Sequence, residues 1–92
     1  MAALPGEQIT KRLAALKGWK RTGDVIWKEY PFEDFVQALA FVNQVGVLAE
    51  KAFHHPDILI HSWNKVRLEL TTHDEKGLTT KDFDLAEAID KL

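Results

Sequence analysis

Two imidazoles stand beside carboxylates in Glu50-Lys51-Ala52-Phe53-His54-His55-Pro56-Asp57, and Thr72-His73, followed by Gly77-Leu78-Thr79, supplies a third. Imidazole, with an unperturbed pKa of ~6.5, can both give and take a proton near neutrality, so this grouping points to acid-base chemistry or to a metal. His54 and His55 are neighbours, and in an extended or turning backbone their side chains point to different sides. Such a pair coordinates one ion poorly, and no His-Glu-x-x-His spacing occurs, so no metal is expected. A covalent nucleophile is also without support: there is no cysteine, and Ser62, the only serine, falls in a strand.

The elements that must position these side chains follow from periodicity. Ile9, Leu13 and Leu16 recur at helical spacing and Gly18 stops the run. Trp19 to Arg21 and Val25 to Tyr30 flank Thr22-Gly23-Asp24, a tight-turn signal, and read as a hairpin. From Phe32 to about Ala52 the chain is rich in Ala, Leu, Val and Phe without proline, which predicts one long helix ending before His54-His55-Pro56. Ile58 to Trp63 and Lys65 to Thr71 form a second strand pair, in which Val66, Leu68 and Leu70 alternate with Lys65, Arg67 and Glu69. Thr79, three residues before Asp82, makes a capping box that opens a last helix with an apolar stripe of Leu85, Ala86, Ile89 and Leu92.

The order α-β-β-α-β-β-α over residues 1–92 implies a single α+β domain: a two-layer sandwich in which a four-stranded antiparallel sheet carries helices packed on one face. If the last two strands pair around Trp63-Asn64, the residues before the third strand and after the fourth meet at one end of the sheet. His54, His55 and His73 then converge there with Glu50 and Asp82. His61 sits inside the third strand, away from that end, and reads as a surface or packing residue.

The long helix is apolar nearly all round. Phe35, Leu39, Val42, Gly46 and Ala49 centre on one face, with Phe41, Val45 and Leu48 on one flank and Val36, Ala40 and Val47 on the other. Only Glu33, Gln37, Gln44 and Lys51 make a polar strip. Either the helix is unusually well covered within the domain, or Phe41, Val45 and Leu48 meet another subunit; the second reading makes the chain a homodimer or homotetramer.

Composition sets the outer bounds. A chain of 92 residues forms one small domain, and near this size only about two-thirds of the unfolded surface is buried, so self-association would help. A net charge of −2 argues against direct nucleic-acid binding. The lack of cysteine agrees with a reducing compartment. Met1-Ala2-Ala3-Leu4-Pro5-Gly6-Glu7 has neither a basic nor an apolar signal region, no membrane association is expected, and the cytoplasm is the expected location.

Glu50-Lys51-x-x-His54-His55-Pro56-Asp57, Trp63-x-x-Val66, Thr72-His73-x-x-x-Gly77-Leu78-Thr79-x-x-Asp82 and Leu85-Ala86 together resemble the pterin-4a-carbinolamine dehydratase family, from about Trp19 to the carboxyl terminus. The resemblance implies dehydration of 4a-hydroxytetrahydropterins to quinonoid dihydropterins, in support of tetrahydrobiopterin recycling. It also implies subunits joined into dimers and tetramers, a small-molecule pterin substrate, and no metal or cofactor. By position, His54 and His73 match the family's acid-base histidines and His55 the neighbouring one, with Glu50, Trp19, Asp82, Pro56 and Thr72 as supporting, substrate-binding positions. Phe53 departs from the small or polar residue common there, and Trp63 stands where tyrosine is common. Some family members bind a transcription-factor dimer through the helix that builds their own tetramer, and related proteins serve as assembly factors. A non-catalytic module acting on a protein partner through the second helix is therefore the alternative.

Overall fold

A computed structural model describes residues 2–92. Its elements run α1 (Gly6–Ala14), β1 (Lys20–Thr22), β2 (Val25–Pro31), α2 (Phe35–Ala52), β3 (Asp57–His61), β4 (Lys65–Leu70) and α3 (Thr80–Asp90), with a 3-10 turn at His73–Glu75. The strands form one antiparallel sheet in the order β1-β2-β4-β3, which is the α+β sandwich expected. Alternation decides its faces. Ile26 pairs with Leu70, while Leu68 and Val66 lie at alternate positions of β4, and all four are fully buried toward the helices. On the opposite, open face Arg67 stacks its guanidinium 3.9 Å from the centre of the Trp27 ring.

Phe83, Leu85, Ala86 and Ile89 of α3 and Ala38, Phe41 and Val45 of α2 complete the core. Full burial of a side chain the size of Phe83 contributes ~1.5–3 kcal/mol, so a handful of these positions outweighs any surface contact. Leu92, expected on the α3 stripe, lies beyond the helix and is half exposed, and Phe83 fills the interior instead.

Two boundaries moved for identifiable reasons. The second helix starts at Phe35 rather than Phe32, because the Phe32 backbone N–H donates to the Asn64 carbonyl at 2.8 Å and prolongs the sheet. Asp34 then caps the helix, its carboxylate accepting from the Gln37 N–H at 2.8 Å. Strand β3 stops at His61 rather than Trp63, since Ser62 and Trp63 take left-handed φ values of 52° and 56° to turn the chain into β4.

The outward flank of α2 is the reverse of the one expected. Phe41 and Val45 are buried within the chain and Leu48 is partly buried, whereas Val36 and Val47 are 72% and 57% exposed and Leu39 is exposed beside them. The small side chains of Ala38 and Ala49, both buried, let α2 settle with that side inward. The apolar stripe left uncovered is therefore Val36, Leu39 and Val47, with Phe35 exposed at its start.

Candidate active site

The end of α2 sets the first histidine. Phe53 adopts a left-handed conformation with φ 50°, its N–H donates to the Glu50 carbonyl, and the His54 N–H donates to the Ala49 carbonyl at 3.1 Å. These two bonds make a Schellman close, normally the place of a glycine. Phe53 holds it with its ring 84% exposed, and the reversal carries His54 inward.

His54 is buried and lies against Asp82, Nε2 to Oδ1 at 2.5 Å. A carboxylate only accepts, so Nε2 carries the proton and Nδ1 is left as the basic ring nitrogen. Asp82 is fully buried, and its other oxygen accepts from the Thr72 hydroxyl at 2.8 Å and from the Thr79 N–H at 2.9 Å. With the Thr72 hydrogen committed to Asp82, the Thr79 hydroxyl donates to Thr72 across 2.9 Å. The expected capping box of α3 is thus present, and the same carboxylate that caps the helix fixes the histidine.

His55, exposed, bonds Glu50 through Nε2. His73 follows β4 in a loop closed by the paired backbone of Thr72 and Gly77, with Lys76 left-handed at φ 52° to complete the turn. The three imidazoles, Thr72 and Lys81 line one cleft of about 250 Å³ at the end of the sheet where β3 begins and β4 ends. His54 and His55 commit to separate carboxylates, and among the described residues no three His, Asp or Glu side chains converge as a metal cage.

Of the remaining residues assigned to the site, Asp82 stands behind His54 and Glu50 behind His55, while Pro56 holds the approach to β3 without lining the cleft. Trp19 is not brought there. Its indole is buried and donates to Asp90 Oδ2 at 2.9 Å, in a cluster where Lys28 and Tyr30 meet Asp90 Oδ1 at 3.0 and 2.6 Å. Burial, and then the bond to Asp90, push the Tyr30 phenol well above the ordinary tyrosine range. His61, on the open face, bonds Glu29 at 2.9 Å, clear of the cleft. Asp74 and Lys81 line the cleft without having been singled out from sequence. Lys81 belongs to no spacing motif, and only its place one residue before Asp82 hinted at it.

Fold and cleft define a class: a small α+β sandwich with a histidine-lined pocket whose one buried imidazole is held by a buried carboxylate. The chain belongs to the pterin 4 alpha carbinolamine dehydratase family, whose model matches residues 2–92. A protein of Roseiflexus sp. (strain RS-1) named as a pterin-4-alpha-carbinolamine dehydratase is 53% identical over 89 residues, covering 97% of this chain and 95% of its own. One of that same name from Acidobacterium capsulatum is 51% identical over 92 residues, covering 100% and 99%. Among solved structures, a transcriptional coactivator/pterin dehydratase from Brucella melitensis superposes with a TM-score of 0.91 at 32% identity, covering 97% of this chain and 96% of its own. A pterin dehydratase-like protein described as a RuBisCO assembly factor in the alpha-carboxysome shares the fold, with a TM-score of 0.64 at 20% identity, covering 79% and 83%.

Proposed function

We propose that the protein dehydrates 4a-hydroxytetrahydropterins to quinonoid dihydropterins by histidine acid-base catalysis, as a metal-free hydro-lyase in the cytoplasm serving tetrahydrobiopterin recycling. The observation that carries this reading is that the buried His54–Asp82 pair and His73 line one cleft, in a chain of this family. In the reaction the C4a hydroxyl leaves as water after gaining a proton, N5 loses its proton, and a C4a–N5 double bond forms. Two proton carriers suffice, with neither nucleophile nor metal.

His54 takes the N5 proton on its free nitrogen, and the negative Asp82 offsets the charge of the imidazolium that results. His73, whose side chain has no hydrogen-bonding partner among the described residues, gives its proton to the departing hydroxyl. His55 is steadied by Glu50, and Thr72 presents its side chain to the cleft while tying Asp82 down. The test is a spectroscopic dehydratase assay on purified protein: His54→Ala and His73→Ala each reduce turnover by at least about tenfold, and His61→Ala does little. If His61 proved the critical histidine, or the wild type gave no turnover above background, this reading would be abandoned.

Self-association belongs to the same proposal. The exposed Val36, Leu39 and Val47 on α2, and the edge strand β3 with Ile58 and Leu59 exposed, are apolar surface of the kind that two-fold pairing of copies buries. A homotetramer made of two dimers uses both. The same α2 stripe supports the alternative of a protein partner held through α2.

A further inference from the structure

Lys81 lines not only the histidine cleft but also a second cavity of about 350 Å³ between α2 and α3. Leu48, Ala52, Leu85 and Ala88 give that cavity apolar walls, and Lys51 brings a second ammonium to it. Its one carboxylate, Asp84, is already engaged by Arg12 at 2.9 Å. Lys51 and Lys81 have no side-chain partner among the described residues. A largely apolar cavity lined by two lysines without side-chain partners, one of which also lines the reaction site, has the character of a binding pocket with a charge preference. Leu48 also lies on a different side of α2 from Val36, Leu39 and Val47, so pairing of copies through that stripe leaves the groove open.

We infer that the α2–α3 cavity is a specificity subsite for the substituent on the pterin ring, favouring an apolar or aromatic body that ends in an anion held by Lys51 and Lys81. The inference rests on the dehydratase reading for the ring chemistry alone, and it puts a pterin with an anionic substituent ahead of tetrahydrobiopterin, whose side chain is an uncharged diol, as the preferred substrate. With the ring among the histidines, the substituent passes Lys81 and enters the groove. Discrimination is then a ratio of kcat/KM values between substituents, set by the anion rather than by the reacting ring. Carboxylate and phosphate both fit this chemistry.

The experiment compares three 4a-hydroxytetrahydropterins bearing at C6 a methyl group, an aryl group ending in carboxylates, or a short phosphate ester. Wild-type protein prefers at least one anionic substrate over the methyl one, and the favoured anion identifies itself. Lys51→Ala and Lys81→Ala each lower the ratio of anionic to methyl kcat/KM by about threefold to fivefold through KM, the scale of one well-formed exposed ion pair. Lys51→Arg retains the ratio, and added salt erodes it in the wild type. Calorimetric binding of the stable 7,8-dihydropterins with the same three substituents gives the contrast without turnover. Loss of turnover on all substrates with the binding contrast intact would therefore remove the dehydratase reading and keep the subsite. Equal binding of the three, or a ratio unmoved by both alanine variants, overturns the subsite.

Discussion

Replacing Asp82 by asparagine separates the shape of the site from its proton. Asp82 is fully buried and accepts from His54, from the Thr72 hydroxyl and from the Thr79 N–H. In Asp82→Asn the amide oxygen keeps Thr72 and Thr79, because both donate. The amide nitrogen then faces His54 Nε2, which must become an acceptor, so the ring proton moves to Nδ1. The base that would accept the N5 proton disappears while the volume of the site is unchanged. Loss of one positioned proton-transfer group costs ~10²–10⁴-fold, so kcat falls by at least about 10²-fold with KM changed by less than about threefold. Charge-assisted hydrogen bonds are about twice as strong as neutral ones, so turning these contacts neutral lowers stability by about 1–2 kcal/mol. In a domain of this size that is a fall of roughly 4–16 °C in Tm. Stopped-flow absorbance reads the quinonoid product above the uncatalysed background, and thermal unfolding reads the fold. An Asp82→Asn protein that folds and keeps kcat within about threefold of wild type would refute the assigned proton path.

Phe53→Gly relieves a left-handed residue, a conformation costing ~1–2 kcal/mol for a side chain against ~0.4–1 kcal/mol for the extra freedom of unfolded glycine. Because the ring is 84% exposed, little burial is lost, and urea unfolding detects a net gain of about 0.5–1 kcal/mol. Tyr30 is held neutral by burial and by Asp90, so its folded pKa lies above the unfolded value of ~10. Its contribution is whole below ~pH 10 and is lost as the pH rises above that, so Tyr30→Phe flattens the alkaline fall in stability, and equal slopes in mutant and wild type would contradict this. Val47→Glu places a charge in the exposed α2 stripe and shifts the assembly to smaller species by light scattering, whereas a wild type that is monomeric at micromolar concentration removes the proposed interface.

The sheet was legible because its signal is redundant. Val66, Leu68 and Leu70 alternate strictly with charged neighbours, and a one-residue slip would expose all three. The meeting of His54 and His55 with His73 followed from pairing two such strands. The inward face of α2 was not legible, since a helix apolar nearly all round has no preferred rotation until the small Ala38 and Ala49 are set against the layers they meet. Neither was the close at Phe53, because the usual glycine is missing and left-handed geometry is then imposed by the paired Ala49 and Glu50 carbonyls. Trp19 was tied to the site by resemblance, but its indole N–H found a carboxylate elsewhere, at Asp90.

Asp82 links these levels. The spacing from Thr79 announces only a helix cap, which is a local device worth ~1 kcal/mol. Folding adds Thr72 from the end of β4 and His54 from the end of α2, so one carboxylate ties together three segments distant in sequence. Stability and proton transfer are therefore coupled at this position, and a change that empties it, such as Asp82→Ala, would lower activity even if His54 had no chemical role. Only substitutions that keep the shape, as asparagine does, can distinguish a histidine that moves a proton from one that merely completes the fold.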